Sequence, residues 1–161
     1  MNASPRPAIL FVCLGNICRS PLAEAVFRRV AEEAGIAVDV DSAGTGDWHI
    51  GHPPDPRAQG IALHHGIDIS GYRARQVEQA DFERFDHILA LDLDNLAALR
   101  GLAPEGARAR LGLLLDHVPG KEGQAVADPY FGDESGFAVT WREVEEAAQA
   151  LVADGALFRS S

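Results

Sequence analysis

Short apolar runs alternate with segments of helical periodicity along this chain, and no other feature constrains the fold as strongly. Buried parallel strands are short runs of this kind, and helices show apolar residues at a spacing of three or four. We predict strands at Ala8–Val12, Val38–Ser42, Asp86–Asp92 and, more weakly, Arg110–Leu115. We predict helices at Leu22–Ala34, Pro56–His65, Leu93–Leu99 and about Ser135–Val152. This alternation is typical of the α/β class: one domain over residues 1–161, an open sheet of about four parallel strands with helices on both faces.

The net charge and the number of cysteines limit which functions and which cellular compartment are expected. A formal net charge of −10 argues against a nucleic-acid partner, which requires a basic face. No apolar run approaches the roughly 20 residues of a membrane span, so no membrane association is expected. The first seven residues, M-N-A-S-P-R-P, lack the apolar core of a secretory signal and are expected to be flexible. Two cysteines do not form a disulfide framework, which favours the cytoplasm.

The stretch V-C-L-G-N-I-C-R-S-P lies where the first strand ends and the first helix begins. Ligands of open parallel sheets bind beyond the carboxyl ends of the strands, and free N–H groups at a helix N-terminus attract anions. Gly15 lets the loop curl, and Ser20 resembles an N-cap before Pro21. Arg19 offers a planar fork for two phosphate oxygens. Cys13 lies at the base of the same loop, where these groups would hold it as a reactive thiolate.

A simpler interpretation exists for each of these residues alone. A cysteine that ends a buried strand is usually a small core residue, and an arginine at a helix start is usually solvated. The joint pattern Cys-x5-Arg-Ser between a strand and a helix is much less common by chance. The sequence contains neither G-x-G-x-x-G nor a Walker-type phosphate loop.

The same stretch closely resembles the signature of the low-molecular-weight protein tyrosine phosphatases. The resemblance covers nearly the whole chain and is most specific in the N-I-C-R-S-P extension together with the late D-P-Y. It also includes D-S-A-G-T at 41–45, W-H-I-G-H-P-P-D-P-R at 48–57, R-A-R-Q at 73–76, D-H-I-L-A-L-D at 86–92 and D-P-Y-F-G-D at 128–133.

The resemblance implies hydrolysis of phosphotyrosine and aryl phosphates through a phosphocysteine intermediate. Cys13 would be the nucleophile, Arg19 the phosphate clamp and Asp128 the general acid and base. Without the resemblance, Asp128 would be a turn residue before a proline. The phosphate-binding loop and its supports would be Leu14, Gly15, Asn16, Ile17, Cys18, Ser20 and Ser42.

The aromatic residues Trp48 and Tyr130 are the expected walls of a slot for the flat phenyl ring. A loop tryptophan could equally be a lid over the core. Cys18 is the expected redox partner of Cys13, since two cysteines of one curled loop can come within disulfide reach. The alternative is that Cys18 only packs against the loop.

The resemblance implies no cofactor, and the histidines do not suggest a metal. His49 and His52, and the adjacent His64 and His65, are interpreted as solvated loop residues, because zinc needs more ligands around them. The expected partners are phosphotyrosine-containing proteins, by analogy including a bacterial tyrosine kinase. The compact acidic form suggests a bacterial source.

Three other functions are considered. Arsenate reductases share the anion loop but need further cysteines, which residues 82–92 lack. Protein-arginine phosphatases resemble this loop but carry threonine at the position of Ile17. A non-catalytic phosphotyrosine-binding module is argued against by Cys13, Arg19 and Asp128 together. A turnover assay distinguishes these possibilities.

Overall fold

Four parallel strands form one sheet: β1 (Ala8–Cys13), β2 (Asp39–Gly44), β3 (His87–Ala90) and β4 (Arg110–Leu113). Their order across the sheet is β2-β1-β3-β4. The structure is a computed structural model that describes residues 6–130, 132 and 134–154. Of residues 1–7, which are predicted to be flexible, residues 1–5 lie outside the described residues. The predicted sheet of four parallel strands is therefore confirmed.

Helices cover both faces of the sheet. Alternate residues of β1 point to opposite faces, so Ile9 and Phe11 enter one core while Leu10 and Val12 enter the other. The helices are α1 (Arg19–Glu33), α2 (Pro56–His64), α3 (Asp81–Arg84), α4 (Leu93–Leu102) and α5 (Glu134–Asp154). The first core contains residues of α1, α2 and α5, and the second contains residues of α3 and α4.

Two local predictions need correction, and one short helix was not predicted. The helix α1 starts at Arg19, with Cys18 rather than Ser20 at the N-cap. The Ser20 hydroxyl instead contacts Cys13 and Asn16. These hydrogen bonds within the loop replace the N-cap hydrogen bond that serine usually makes. The fourth strand ends at Leu113 and continues as a 3-10 turn, and the short helix α3 was not predicted because it spans only one turn.

The carboxyl ends of β1 and β2 lie side by side and define the functional edge of the sheet. Cys13 is paired with Gly44 in parallel register, and Ser42 stands two residues before that end. The loop after β1 and the segments after β2 and β3 therefore meet at one place. Within the described ranges, none of the helices has the length and apolar character needed to span a bilayer.

Candidate active site

The Cys13 sulfur lies at the floor of the loop between β1 and α1, and the residue is only 2% exposed. Its Sγ is 2.9 Å from the Ser20 Oγ and accepts the backbone N–H of Asn16 at 3.3 Å. A donor from the backbone and a hydroxyl therefore both face the sulfur. The sulfur can therefore accept two hydrogen bonds at once.

Asn16 shapes this loop through both its backbone and its side chain. Its φ of 57° makes it the only non-glycine residue of positive φ in the described ranges. The side-chain Nδ2 donates to the Oγ atoms of Ser20 at 2.8 Å and Ser42 at 3.0 Å. Its Oδ1 accepts the backbone N–H of Arg75 at 3.0 Å. Asn16 thus connects the loop to β2 and to the segment before α3.

Glu24 ends this hydrogen-bonded network and was missed by the sequence analysis. Its Oε1 accepts the Ser42 hydroxyl at 2.7 Å, and its Oε2 accepts from Arg28 at 2.5 Å. Because the Ser42 hydroxyl donates its proton to Glu24, the Ser42 oxygen can only accept from Asn16. Asn16 also donates to Ser20, which leaves the single Ser20 proton directed toward Cys13. Burial raises the pKa of Glu24, and the Ser42 and Arg28 contacts only partly offset that effect.

Gly44 allows the loop to pack directly on the end of β2. A β-carbon at this position would lie 2.7 Å from the Leu14 carbonyl oxygen and 3.2 Å from the Asn16 nitrogen. The next residues hold the loop by backbone hydrogen bonds, from Thr45 to Cys13 at 2.9 Å and from Gly46 to Leu14 at 2.9 Å. The loop backbone is therefore supported by contacts that only a glycine at position 44 permits.

The Arg19 guanidinium is buried beside the sulfur, with 3% of its side chain exposed. Its Nη1 donates to the Asp92 carboxylate at 2.8 Å and to the Val126 carbonyl at 3.0 Å. Burial by itself would lower the pKa of Arg19, but the attraction of Cys13, Asp92 and Asp128 outweighs burial and raises it. A buried, permanently positive group therefore stands at this edge of an otherwise acidic protein.

Asp128 reaches the same place from the far end of the chain. Its Oδ2 lies 3.5 Å from Arg19 Nη2, and its Oδ1 accepts the Tyr130 backbone N–H at 3.0 Å. The side chain is 40% exposed. This carboxyl group can therefore contact both a bound molecule and water.

A cavity of about 220 Å³ lies above Cys13 and Arg19. Trp48 and Tyr130, predicted as slot walls, both line it, and so does Asp128. A β-carbon at Gly46 would overlap the Trp48 indole, so this glycine lets the ring fold back along its loop. The predicted supports Asn16, Ser20 and Ser42 do not line the cavity and lie behind the residues that do. The lining residues are Cys13, Leu14, Gly15, Ile17, Cys18, Arg19, Trp48, His49, Asp128 and Tyr130.

His49 corrects the interpretation of the histidines as solvated, whereas His52, His64 and His65 are exposed as predicted. His49 is half-buried and lines the cavity, 6.4 Å from the Tyr130 ring. His65 stacks on the buried Trp141 at 4.3 Å. The spacing of the histidines in sequence carried neither signal, because each contact is made with a distant element. Across the described residues, no three His, Cys, Asp or Glu side chains are grouped as metal ligands would be.

Cys18 lies in the cavity wall and is only 5% exposed. Burial raises its pKa strongly, and the negative charge of Asp55 adds to the effect. Cys18 therefore stays a protonated thiol. Both cysteines are free in this structure.

Comparison with known proteins identifies the family. A family model described as low molecular weight phosphotyrosine protein phosphatase matches residues 8–158. The chain belongs to this family. The low molecular weight protein-tyrosine-phosphatase of Streptomyces coelicolor is 46% identical over 150 residues, which cover 90% of this chain and 91% of the relative. As a low molecular weight phosphotyrosine protein phosphatase, the chain is an enzyme of the hydrolase class.

Solved structures share the fold of this low molecular weight phosphatase. YfkJ from Bacillus subtilis superimposes with a TM-score of 0.87 at 37% identity, covering 99% of this chain and 100% of YfkJ. DARP, a Drosophila arginine phosphatase, superimposes with a TM-score of 0.87 at 31% identity, covering 92% of this chain and 97% of DARP. One fold therefore includes proteins named for two kinds of phosphorylated residue.

Proposed function

We propose that this chain hydrolyses protein phosphotyrosine, with Cys13 as nucleophile, Arg19 as phosphate clamp and Asp128 as general acid and base. One observation carries these assignments. A buried cysteine, a buried arginine and a half-exposed carboxyl group line one cavity, and Asp128 lies 3.5 Å from Arg19. A nucleophile, an anion clamp and a proton donor are the three groups that phosphate ester hydrolysis requires.

In the first step, the Cys13 sulfur attacks phosphorus and the bond from phosphorus to the phenolic oxygen breaks. The leaving oxygen takes the Asp128 proton and departs as a neutral tyrosine. Arg19 and the loop N–H groups hold the phosphoryl oxygens, while Ser20 donates to the thiolate. The product is a phosphocysteine at Cys13.

In the second step, Asp128 removes a proton from water, which attacks the phosphocysteine. The sulfur–phosphorus bond breaks and inorganic phosphate leaves, so Cys13 returns as thiolate and Asp128 as acid. The half-exposed position of Asp128 supports both roles, because water reaches it from the open side of the cavity.

The aromatic walls support an aryl phosphate substrate. Trp48 and Tyr130 can hold a flat ring above Cys13, whereas a phosphoserine side chain is too short to fill such a slot. The proposed partners are phosphotyrosine proteins, among them by analogy a bacterial tyrosine kinase, and the proposed location is a bacterial cytoplasm.

Protein phosphoarginine is the second candidate substrate, supported by the likeness to DARP. Ile17 argues against it, because this branched apolar side chain lines the cavity where the arginine-specific pattern has threonine. A planar guanidinium carries several polar N–H groups, for which an apolar wall offers no acceptor.

Turnover of three peptides with one sequence and a single phosphotyrosine, phosphoserine or phosphoarginine tests this proposal. We expect phosphotyrosine to give the highest kcat/KM, and Cys13→Ser to abolish turnover while retaining vanadate binding. A hydroxyl stays protonated at neutral pH and is a poor nucleophile in the same loop. Faster release of phosphate from phosphoarginine would contradict phosphotyrosine as the preferred substrate. Activity above a few per cent of wild type in Cys13→Ser would contradict Cys13 as the nucleophile.

A further inference from the structure

Arg57 joins several parts of the structure around the active site. Its Nε and Nη2 donate to the two oxygens of Asp55, each at 3.0 Å. Its Nη2 also donates to the Tyr130 carbonyl at 2.9 Å, and its Nη1 to the Gly132 carbonyl at 3.0 Å. The guanidinium carbon lies 4.7 Å from the Phe137 ring centre. One side chain therefore connects α2, the segment that carries Asp128, and α5.

The Asp55 end of this connection is attached to the phosphate-binding loop. The Asp55 backbone N–H donates to the Ile17 carbonyl at 2.8 Å. The hydrogen bond from Arg57 lowers the pKa of the Asp55 carboxyl despite its burial, so this group stays ionised at neutral pH. Asp55 also accepts the Arg57 backbone N–H at the start of α2, which limits its freedom to move.

Arg57 also binds Tyr130, the residue whose backbone N–H holds Asp128. The Tyr130 backbone N–H donates to Asp128 Oδ1 at 3.0 Å, while the Tyr130 carbonyl accepts from Arg57. The position of Tyr130 therefore sets the position of the Asp128 carboxyl group. In the described part of the chain, Arg19 Nη2 is the cation nearest to that group, at 3.5 Å, which is longer than a good hydrogen bond.

We propose that Arg57 is a positioning residue for catalysis, which holds Asp128 over the cavity by linking its loop to the loop of Cys13. This inference rests on the proposed role of Asp128 as general acid. A guanidinium can supply all these contacts at once because it carries five N–H donors in a fixed plane. A lysine at this position would keep the charge near Phe137 but could not hold the carboxylate and both carbonyls together.

Arg29 provides a matched control on another part of the molecule. It also donates to a carbonyl, that of His65, and pairs with the Glu145 carboxylate at 3.6 Å. It also lies over an aromatic ring, that of Trp141, at 5.8 Å. These contacts connect α1 to α2 and α5 without touching the Asp128 loop. A general loss of packing or charge would therefore affect Arg29→Met and Arg57→Met alike.

The test measures kcat/KM for Arg57→Met, Arg29→Met and the wild type over phenyl phosphates whose leaving groups range from phenol to dinitrophenol. Loss of a positioned acid slows the poor leaving groups most, since these need the proton. We expect Arg57→Met to lower kcat/KM for phenyl phosphate on the order of 10²-fold and for dinitrophenyl phosphate much less. We expect Arg29→Met to have the same kcat/KM as the wild type for every leaving group.

Double variants make the test decisive. If Arg57 acts through Asp128, adding Arg57→Met to Asp128→Ala causes no further loss, whereas independent effects multiply. Equal losses at all leaving groups, or multiplied losses in the double variant, would overturn the proposal. Should Arg57→Met not fold, Arg57→Lys is measured in the same way. Wild-type turnover tests the proposed function separately, because an inactive wild type would refute that function before Arg57 is considered.

Discussion

Both carboxylate oxygens of Asp92 accept hydrogen bonds from within the protein, one from Arg19 and one from the N-terminus of α4. Its Oδ2 accepts from Arg19 Nη1 at 2.8 Å, and its Oδ1 accepts the Asn95 backbone N–H at 2.7 Å as the N-cap of α4. Its side chain is 22% exposed, against 40% for Asp128. Asp92 is the other carboxyl group beside Arg19 and therefore the alternative candidate for the general acid, but its geometry favours a role in holding Arg19.

The first prediction distinguishes these two carboxyl groups. A tyrosine phenolate has a pKa of about 10 and leaves poorly without a proton. Asp128→Ala should therefore reduce kcat/KM on phosphotyrosine by roughly 10²–10⁴-fold and on nitrophenyl phosphate less. Asp92→Asn should weaken phosphate binding equally for every substrate, because Arg19 loses its charged partner.

Pre-steady-state bursts over substituted phenyl phosphates measure the bond-breaking step for each variant. Asp128→Ala should show a steep dependence of the burst rate on the leaving-group pKa, and Asp92→Asn the shallow dependence of the wild type. A steep dependence in Asp92→Asn alone would make Asp92 the acid and Asp128 structural.

The second prediction separates the backbone of Asn16 from its side chain. Asn16→Gly tolerates the φ of 57° but loses the contacts to Ser20, Ser42 and Arg75. Asn16→Ala loses those contacts and also strains the backbone by roughly 1–2 kcal/mol. Both variants should bind inorganic phosphate less tightly, and urea unfolding should show the alanine variant to be the less stable. Equal stability of the two would mean that the loop relaxes away from this conformation.

The third prediction concerns the close approach of the loop to Gly44. Gly44→Ala should displace the Leu14 carbonyl, raise the inhibition constant for vanadate and destabilise the fold by about 1–3 kcal/mol. Gly112→Ala is the matched control, since a β-carbon at that strand position meets nothing within 4 Å. Vanadate inhibition and urea unfolding measure both effects. Unchanged vanadate binding in Gly44→Ala would show that the loop does not need this contact.

The fourth prediction tests Cys18 as a redox partner. Peroxide oxidises the Cys13 thiolate to a sulfenic acid, which Cys18 then converts to a disulfide with release of water. The raised pKa of Cys18 keeps it protonated, so peroxide should react first at Cys13. The wild type should regain activity in dithiothreitol, whereas Cys18→Ser should regain much less. Equal recovery, or absence of the disulfide by mass spectrometry, would leave Cys18 as a packing residue only.

The fifth prediction concerns the pH dependence of stability. Burial raises the pKa of Glu24 above its ordinary value of 4.5, so the folded protein keeps this proton to a higher pH than the unfolded chain. The contribution of Glu24 to stability is thus complete below pH 4.5 and declines as the pH rises through the raised folded value. Glu24→Gln keeps an acceptor for Ser42 but does not ionise.

Urea unfolding of both proteins between about pH 4 and pH 8 measures this difference. The stability of Glu24→Gln relative to the wild type should increase with pH over this interval. A difference that stays constant with pH would mean that Glu24 titrates normally in the folded protein.

The sequence by itself determined the order of the elements and the chemistry at the first strand end. Short continuous apolar runs locate the strands, and apolar residues three or four positions apart locate the helices, because both patterns depend on residues close together in the chain. Cys13, Gly15 and Arg19 could be assigned from the residues for the same reason, since one strand, one loop and one helix start contain them. Asp128 came from family resemblance alone, because no local pattern links it to Cys13.

The tertiary structure decided which distant side chains complete the site. The sequence assigned no role to Glu24, His49 or Arg57, although the family resemblance includes the segment of His49 and Arg57. Each lies beside a residue of another element: Glu24 beside Ser42, His49 beside Tyr130 and Arg57 beside Gly132. The hydroxyl of Ser20 faces Cys13 rather than capping α1 for the same reason. Hydrogen-bond partners are chosen by distances of about 3 Å between folded elements, and these distances exist only after the two cores have packed.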